Sequence, residues 1–174
     1  KNDPLGHLLL ISGRYESEEK LLLERFRKIF PESINRVIFM PRMPKDDFLR
    51  IIQMSHVVLD PIFFSGGNST AETLAMGVPI VTWPDAYLRD RVTYAIFKTM
   101  GIDELIAGSA EDYVSLAIRL ANDKEFHTKM SDLINQCSGR FFENSDTVQE
   151  LGHFMIAAIK AARNGDDHIR WNTP

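Results

Sequence analysis

A single cysteine, Cys137, is all that the sequence offers for disulfide chemistry, so no disulfide can form within the chain. No motif of a reactive thiol surrounds it, which predicts a small apolar residue on a helix. No apolar run approaches the ~20 residues of a membrane-spanning helix, and no signal-peptide pattern follows Lys1. These absences exclude a disulfide-framework protein and predict a soluble, cytoplasmic protein without a membrane partner.

Basic residues are not in excess either. Lys and Arg total 20 against 24 Asp and Glu, which gives a net charge of −4. A protein that binds nucleic acid through its phosphates needs a basic patch, so nucleic acid is not an expected partner. The five histidines lack the spacing of metal ligands, and we predict no metal site; they are His7, His56, His127, His153 and His168.

Short apolar runs bounded by turn residues, at 7–12, 36–40, 56–60 and 79–83, are typical of strands that are buried on both faces. Helical periodicity lies between them, at 16–30, 45–54 and 69–76. This alternation, with right-handed crossovers, predicts an α/β fold with a doubly wound parallel sheet, a Rossmann-like single domain over 1–174. A weaker fifth strand at 104–107 follows a helix over 87–100 that ends at Gly101.

The rest of the chain is helical in pattern. Ser109 is the predicted N-cap of one helix, and two more helices follow at 124–142 and 147–163, the second capped by Ser145 or Asp146. The chain also begins without an initiator Met and reaches a strand-like run at once, which indicates a piece of a longer protein.

The stretch 60–79, which joins a predicted strand to a helix, carries the most informative residues. Glycines that permit close backbone approach are followed by residues with cap oxygens or hydroxyl groups: Gly66, Gly67, Asn68, Ser69 and Thr70. A helix start of this kind favours a phosphate group. The carboxylate of Glu72 can lie beside the same site and accept two hydroxyl hydrogen bonds from a ribose.

A plain turn is the alternative for these residues. Gly66 and Gly67 then form a tight turn, Ser69 or Thr70 caps the helix, and Glu72 complements the helix dipole.

Two residues on the preceding helix have similar alternatives. Lys45 lies in a first helical turn, where a cation opposes the dipole, and this mismatch favours a ligand role over a surface role. Phe48 has the apolar spacing of a core residue, although a nucleobase needs such a face. Asp60 ends a strand at the edge where open α/β sheets bind ligands, and we interpret it as structural.

Several motifs in order carry a family resemblance. They are RVIFMP at 36–41, PK followed by two acids at 44–47, VVLD at 57–60, the glycine-rich turn, LAMGVPIVTWP at 74–84 and LRDRV at 88–92. From Arg36 to about Arg163 the chain resembles the C-terminal half of the O-linked N-acetylglucosamine transferase and SPINDLY group. Members of that group usually carry tetratricopeptide repeats ahead of a two-domain glycosyltransferase of the B type.

The resemblance implies a donor site. Lys45 contacts a ribose or phosphate, Phe48 lies beside the nucleobase, and the backbone around Met43 reads its edge. Gly67, Asn68 and Ser69 hold the diphosphate, and Glu72 binds the ribose. The family commonly has a His and two Thr at this turn and an Asp on the ribose, so Gly67-Asn68-Ser69 and Glu72 depart from its pattern.

The implied function is the nucleotide-sugar-binding half of a glycosyltransferase that moves N-acetylglucosamine from UDP-N-acetylglucosamine to a protein Ser or Thr hydroxyl. No metal or cofactor is implied beyond the donor substrate. The general base is expected in a missing N-terminal catalytic domain, which the helix at about 145–163 braces. The alternatives are a nucleotide-sugar epimerase of the same architecture and a non-catalytic binding module.

Overall fold

The computed structural model of the chain describes residues 3–166 and residue 171. His168 lies outside these residues. Within them, the chain alternates strands and helices as far as its middle and is helical from there on. No helix in this described part is long and apolar enough to cross a membrane.

The predicted strands are present, shortened, as two parallel pairs. Strand β1 (Leu8–Ile11) pairs with β2 (Val37–Met40), and β3 (Val58–Leu59) pairs with β4 (Ile80–Val81). The predicted fifth strand at 104–107 is reduced to one parallel bridge between Thr82 and Ile106. Strand pairing is therefore parallel throughout, but the predicted single sheet is found as two separate ladders.

Four helices accompany these strands. They are α1 (Glu16–Ile29), α2 (Lys45–Met54), α3 (Asn68–Ala75) and α4 (Val92–Met100), with 3-10 turns at Pro31–Arg36 and Leu88–Asp90. The last of them is shorter than the predicted helix over 87–100, because the 3-10 turn takes up its first part. It ends, as predicted, at Gly101, whose φ of 76° is left-handed and therefore suits a residue without a Cβ.

The C-terminal helices are α5 (Ala110–Asn122), α6 (Lys124–Cys137), α7 (Gly139–Phe142) and α8 (Ser145–Asn164). The predicted cap of α5 is confirmed, since Ser109 Oγ accepts from Asp112 N at 3.1 Å. The cap of α8 was wrongly predicted, because Asn144 Oδ1 accepts from Thr147 N at 3.0 Å one residue before the expected position.

The helix predicted at 124–142 is present within these bounds, but it is interrupted at Ser138 and divided into α6 and α7. Ser138 Oγ donates to the carbonyl oxygen of Asn135 at 3.1 Å, and Gly139 follows at once. A serine that competes for backbone groups and a glycine of low helix propensity together account for the break.

The core lies in the C-terminal two thirds of the chain, where β4 packs among α4, α5 and α6. Its fully buried side chains include Phe97, Met100, Leu105, Met130 and Ile134. Cys137 joins this cluster at 8% exposure, which confirms its predicted role as an apolar residue on a helix. By contrast, no residue of α1 is buried, and β1 alternates half-buried with exposed side chains. The N-terminal ladder therefore carries little core of its own.

Candidate functional site

The glycine-rich turn runs from the end of β3 to the start of α3, where the structure places Gly67 at the N-cap position. No side chain caps α3, so the alternative in which Ser69 or Thr70 acts as the cap is wrong. A helix start leaves its first backbone N–H groups without intrahelical partners. Gly67, Asn68 and Ser69 are exposed, and a Cβ on Gly67 would meet nothing within 4 Å. The start of α3 is thus open to an anion.

Asp60, buried to 3% exposure, holds this turn in place. Its Oδ1 accepts from the backbone N of Gly66 at 2.8 Å, and its Oδ2 accepts from Ser65 Oγ at 2.8 Å and from Thr82 Oγ1 at 2.7 Å. One carboxyl group therefore ties the turn to both strands of the second ladder. The interpretation of Asp60 as structural agrees with these contacts.

A buried group of hydroxyls extends this network toward α4. Thr93 Oγ1 lies 2.9 Å from Ser65 Oγ and 3.0 Å from Thr70 Oγ1, and the backbone N of Thr93 donates to Ser65 Oγ at 3.0 Å. Thr70 is 3% exposed, so its hydroxyl faces the interior and not the open start of α3. Of the hydroxyl residues singled out in the sequence, Ser69 alone is exposed at the turn.

Tyr113 on α5 also supports the glycine-rich turn, through the backbone of Asp60. Its hydroxyl donates to the backbone oxygen of Asp60 at 2.9 Å. Burial, with a smaller contribution from the charge of Asp60, raises the pKa of Tyr113 well above its usual range. The neutral, donating form is therefore the one present at physiological pH.

Lys45 and Glu72 form an ion pair beside the turn, with 3.0 Å between Lys45 Nζ and Glu72 Oε1. Lys45 begins α2 and Glu72 lies in α3, and these two helices pack against each other. The Glu72 side chain is 27% exposed and that of Lys45 is 69% exposed. The pair is thus open to solvent on the lysine side, and an exposed pair of this kind adds little to stability.

Met43 and Phe48 flank the start of α2. Met43 lies in the loop between β2 and α2, and Phe48 lies in the first turn of α2, where its backbone N donates to the oxygen of Pro44 at 3.1 Å. Both side chains are half-buried. Each side chain therefore packs in part against the protein and leaves part of its apolar surface accessible to solvent.

A second loop, before α4, is fastened to the glycine-rich turn. The backbone N of Ser65 donates to the oxygen of Arg89 at 2.8 Å, and Arg89 Nε donates to the oxygen of Phe63 at 3.3 Å.

Sequence reasoning missed four residues that support the site, namely Ser65, Thr82, Thr93 and Tyr113. Hydroxyl residues at the ends of strands and helices were the available signal, but their partners are up to 53 residues apart in the chain.

Within residues 3–166 and residue 171, no group of three or more His, Cys, Asp or Glu side chains is placed to hold a metal ion. What the site offers is an open helix start for an anion, an acid and a lysine beside it, and partly accessible apolar side chains on the neighbouring helix.

Fold and site together define an α/β protein of parallel strand pairs with an uncapped, exposed helix start at the carboxyl end of a strand. Comparison with known proteins narrows this class. The chain belongs to glycosyl transferase family 41, which it matches over residues 8–151.

Two proteins of similar sequence support this family assignment. The chain is 30% identical over 180 residues to a UDP-N-acetylglucosamine–peptide N-acetylglucosaminyltransferase of Caenorhabditis elegans, a match that covers 99% of the chain and 15% of that protein. It is 35% identical over 77 residues to a probable enzyme of the same description, SPINDLY, of Petunia hybrida, covering 44% of the chain and 8% of the relative.

The fold is similar to that of a solved structure, a mutant of the Thermobaculum terrenum O-GlcNAc transferase. The TM-score is 0.75 at 24% sequence identity, over 86% of the chain and 29% of that protein. The chain therefore spans less than a third of the length of each of these relatives.

The network around Asp60 gives a first prediction. In Asp60→Asn, an amide nitrogen replaces one of the two carboxylate oxygens. Both oxygens accept hydrogen bonds in the parent, so at least one buried donor loses its acceptor in the variant. We expect the free energy of unfolding to fall by about 2 kcal/mol or more, measured by urea unfolding. Asp132→Asn, which changes an exposed carboxylate on α6, is the control and should stay within about 0.5 kcal/mol of the parent. Equal, small effects of the two changes would contradict the assigned role.

Proposed function

We propose that the chain is the nucleotide-sugar-binding, Rossmann-like half of a B-type glycosyltransferase that transfers N-acetylglucosamine from UDP-N-acetylglucosamine to protein Ser or Thr. The observation that carries the proposal is the ion pair of Lys45 and Glu72 beside an uncapped helix start, in a chain of glycosyl transferase family 41. Phosphate and ribose are the two ligand groups that such a site accommodates side by side.

In this proposal the diphosphate lies at the start of α3. The backbone N–H groups of Gly67, Asn68 and Ser69 face it, assisted by the partial positive charge of the helix start. The rigid support of Gly66 by Asp60 keeps these groups oriented before the donor arrives. Thr70 contributes from inside, by holding the turn through Thr93, and not by direct contact.

Glu72 binds the ribose. A carboxylate accepts but does not donate, so two neighbouring ribose hydroxyls suit it. Lys45 holds the Glu72 carboxylate in position at 3.0 Å, and its exposed ammonium can also approach the phosphates. Met43 and Phe48 provide an edge and an apolar face for the nucleobase.

The names of two relatives support uridine as the base. One describes transfer from UDP-N-acetylglucosamine, and a further relative, from Actinobacillus pleuropneumoniae, is a UDP-glucose:protein N-beta-glucosyltransferase that is 26% identical over 122 residues, 70% of the chain and 20% of that protein. These two relatives differ in sugar but share the nucleotide. Of the two departures from the family pattern, Gly67-Asn68-Ser69 lies at the diphosphate turn and Glu72 lies at the ribose.

The chain acts mainly on the leaving group. Negative charge grows on the departing diphosphate in the transition state, and oriented amides with Lys45 stabilise that charge without a metal ion. The proton of the acceptor hydroxyl must go to a general base, which we assign to the N-terminal catalytic domain of the whole protein. Tetratricopeptide repeats ahead of that domain belong to the same proposal.

Helix α8 is proposed to brace that other domain. Its exposed apolar side chains recur at helical spacing, each more than half accessible: Val148, Leu151, Met155 and Ile159. Ile156 is also more than half accessible, whereas Phe154 is half-buried and its ring lies 5.6 Å from that of Trp171. One side of α8 is thus occupied by this chain, while an apolar stripe remains for a partner domain.

Ribose recognition is tested with Glu72→Ala in the full-length protein. We expect the affinity for UDP to fall about tenfold or more, because hydrogen bonds to a charged acceptor are lost. The parent should prefer UDP to 2′-deoxy-UDP, and the variant should lose that preference. Calorimetric titration measures both. Glu111→Ala, an exposed acid in the first turn of α5, is the matched control. A retained preference for UDP in the Glu72 variant would show that the ribose lies elsewhere.

The reaction is tested with the full-length protein, UDP-N-acetylglucosamine and Ser- or Thr-containing protein acceptors. Mass spectrometry should detect N-acetylhexosamine on those hydroxyls, at a rate that EDTA leaves unchanged. Inversion of the configuration at one carbon of the sugar, in the absence of a protein acceptor, would indicate an epimerase instead. If neither reaction nor UDP binding occurs, the protein is a binding module of another kind.

The brace is tested with Met155→Glu in the full-length protein. A carboxylate on the apolar stripe must then be buried against the partner domain, and we expect a loss of about 1–3 kcal/mol in the free energy of unfolding. Thermal unfolding of the variant should therefore begin at a lower temperature. His153→Glu places the same group on another exposed side of α8 and is expected to be neutral. If neither variant changes the free energy of unfolding, α8 does not pack against a partner domain.

A further inference from the structure

Two loops at one end of the second strand ladder expose large apolar side chains. One loop follows β3 and the other follows β4, and because these strands are parallel neighbours, both loops lie at the carboxyl edge of the ladder. Four residues form what we call the loop patch: Phe63 at 75% exposure, Phe64 at 72%, Tyr87 at 61% and Leu88 at 86%. Grouped apolar side chains on a surface mark an interaction site, whereas single ones are ordinary.

Hydrogen bonds hold the two loops together as one surface. Arg89 Nε donates to the backbone oxygen of Phe63 at 3.3 Å, and the Arg89 guanidinium lies 4.8 Å from the ring centre of Tyr87. The backbone N of Ser65, next to Phe64, donates to the oxygen of Arg89 at 2.8 Å. The loop patch is therefore ordered before any partner arrives, which lowers the entropy cost of docking.

The loop patch and the proposed ribose site lie on opposite sides of α3. Glu72 contacts Lys45 of α2, whereas Thr70 contacts Thr93 of α4. Residues two positions apart on a helix are rotated by about 200° from each other. The second loop leads directly into α4, so it lies on the Thr70 side. A diphosphate at the start of α3 that holds its ribose on the α2 side therefore directs its sugar toward the loop patch.

The acceptor must reach the same place as the sugar. Its hydroxyl oxygen bonds to the sugar carbon while the bond from that carbon to the diphosphate breaks, so the acceptor segment passes directly beside the sugar. Phe64 precedes Gly66 by two residues, which places their Cα atoms at most about 7 Å apart. Side chains that flank the acceptor hydroxyl therefore come close enough to contact the loop patch.

Charge adds a second feature to this surface. Arg89 is exposed, and among residues 3–166 and residue 171 no carboxylate forms an ion pair with its guanidinium. Its Nε bonds within the protein, so the terminal N–H groups are the ones that a partner would meet. A carboxylate is the partner that such a guanidinium binds most strongly.

We propose that the loop patch docks the acceptor polypeptide, by taking up an aromatic side chain beside the modified Ser or Thr while Arg89 pairs with an acidic residue of the same segment. Aromatic rings suit this patch because three of its four members are aromatic themselves. The inference rests on the proposed function and adds the class of acceptor to it.

Aromatic recognition is tested with the full-length protein and a series of Ser-containing peptides. A phenylalanine in an alanine background is moved through about three residues on each side of the serine, the stretch of about 10 Å that an extended chain covers. At its best position it should lower the KM of the peptide about tenfold relative to alanine, with little change in kcat. Equal KM values at every position would overturn the inference.

A double variant, Phe63→Ser with Tyr87→Ser, assigns the effect to the loop patch. It should lose the preference for phenylalanine and keep the affinity for UDP, measured by calorimetric titration. Met54→Ser removes an apolar side chain of 81% exposure from the far end of α2 and should keep the preference. A preference that survives the double variant, or a loss of UDP affinity in it, would overturn the acceptor role of the patch.

A change of charge tests Arg89. The parent should have a lower KM for a peptide with a glutamate near the serine than for the same peptide with a lysine, and Arg89→Glu should reverse that order. If Arg89 only connects the two loops, the variant weakens both peptides equally, which would contradict its pairing with an acid.

Failure of this inference differs from failure of the proposed function. If UDP binds and serine is modified whichever residues flank it, the inference alone is wrong. If no UDP binds and no peptide is modified, the proposed function is wrong, and the acceptor role of the loop patch is refuted with it.

Discussion

The buried carboxyl group of Asp60 is the interaction on which the site depends. It accepts one backbone and two hydroxyl hydrogen bonds, and these bonds tie the glycine-rich turn to β3 and β4. Tyr113 holds the backbone of the same residue from α5. A glycine-rich turn has little conformational preference of its own, so its amides are oriented only because this network fixes them.

The residues of the turn form a buried layer and an exposed layer. The interior layer of Ser65, Thr70 and Thr93 is buried and satisfied within the protein. The outer layer of Gly67, Asn68 and Ser69 is exposed and free to meet a ligand, with Glu72 and Lys45 beside it. Such a division favours binding without rearrangement, because the supporting bonds exist before the ligand arrives.

Local features were predictable because short-range chemistry decides them. The order of strands and helices, the Ser109 cap and the left-handed Gly101 follow from residues within a few positions of one another. The break at Ser138 and the Asn144 cap were mispredicted, since neighbouring residues there offered competing choices. The motif at 60–79 indicated the site, whereas its supports depend on contacts across 22 to 53 residues.

The sequence by itself determined the α/β class, the parallel pairing, the position of the glycine-rich turn and the resemblance to a glycosyltransferase family. Periodicity, turn chemistry and ordered motifs are properties of the chain that need no partner. Only the tertiary structure decided that Thr70 faces inward, that Lys45 meets Glu72, and that the strands form two ladders. Side-chain direction and strand adjacency depend on which distant elements pack together, and no local pattern encodes that choice.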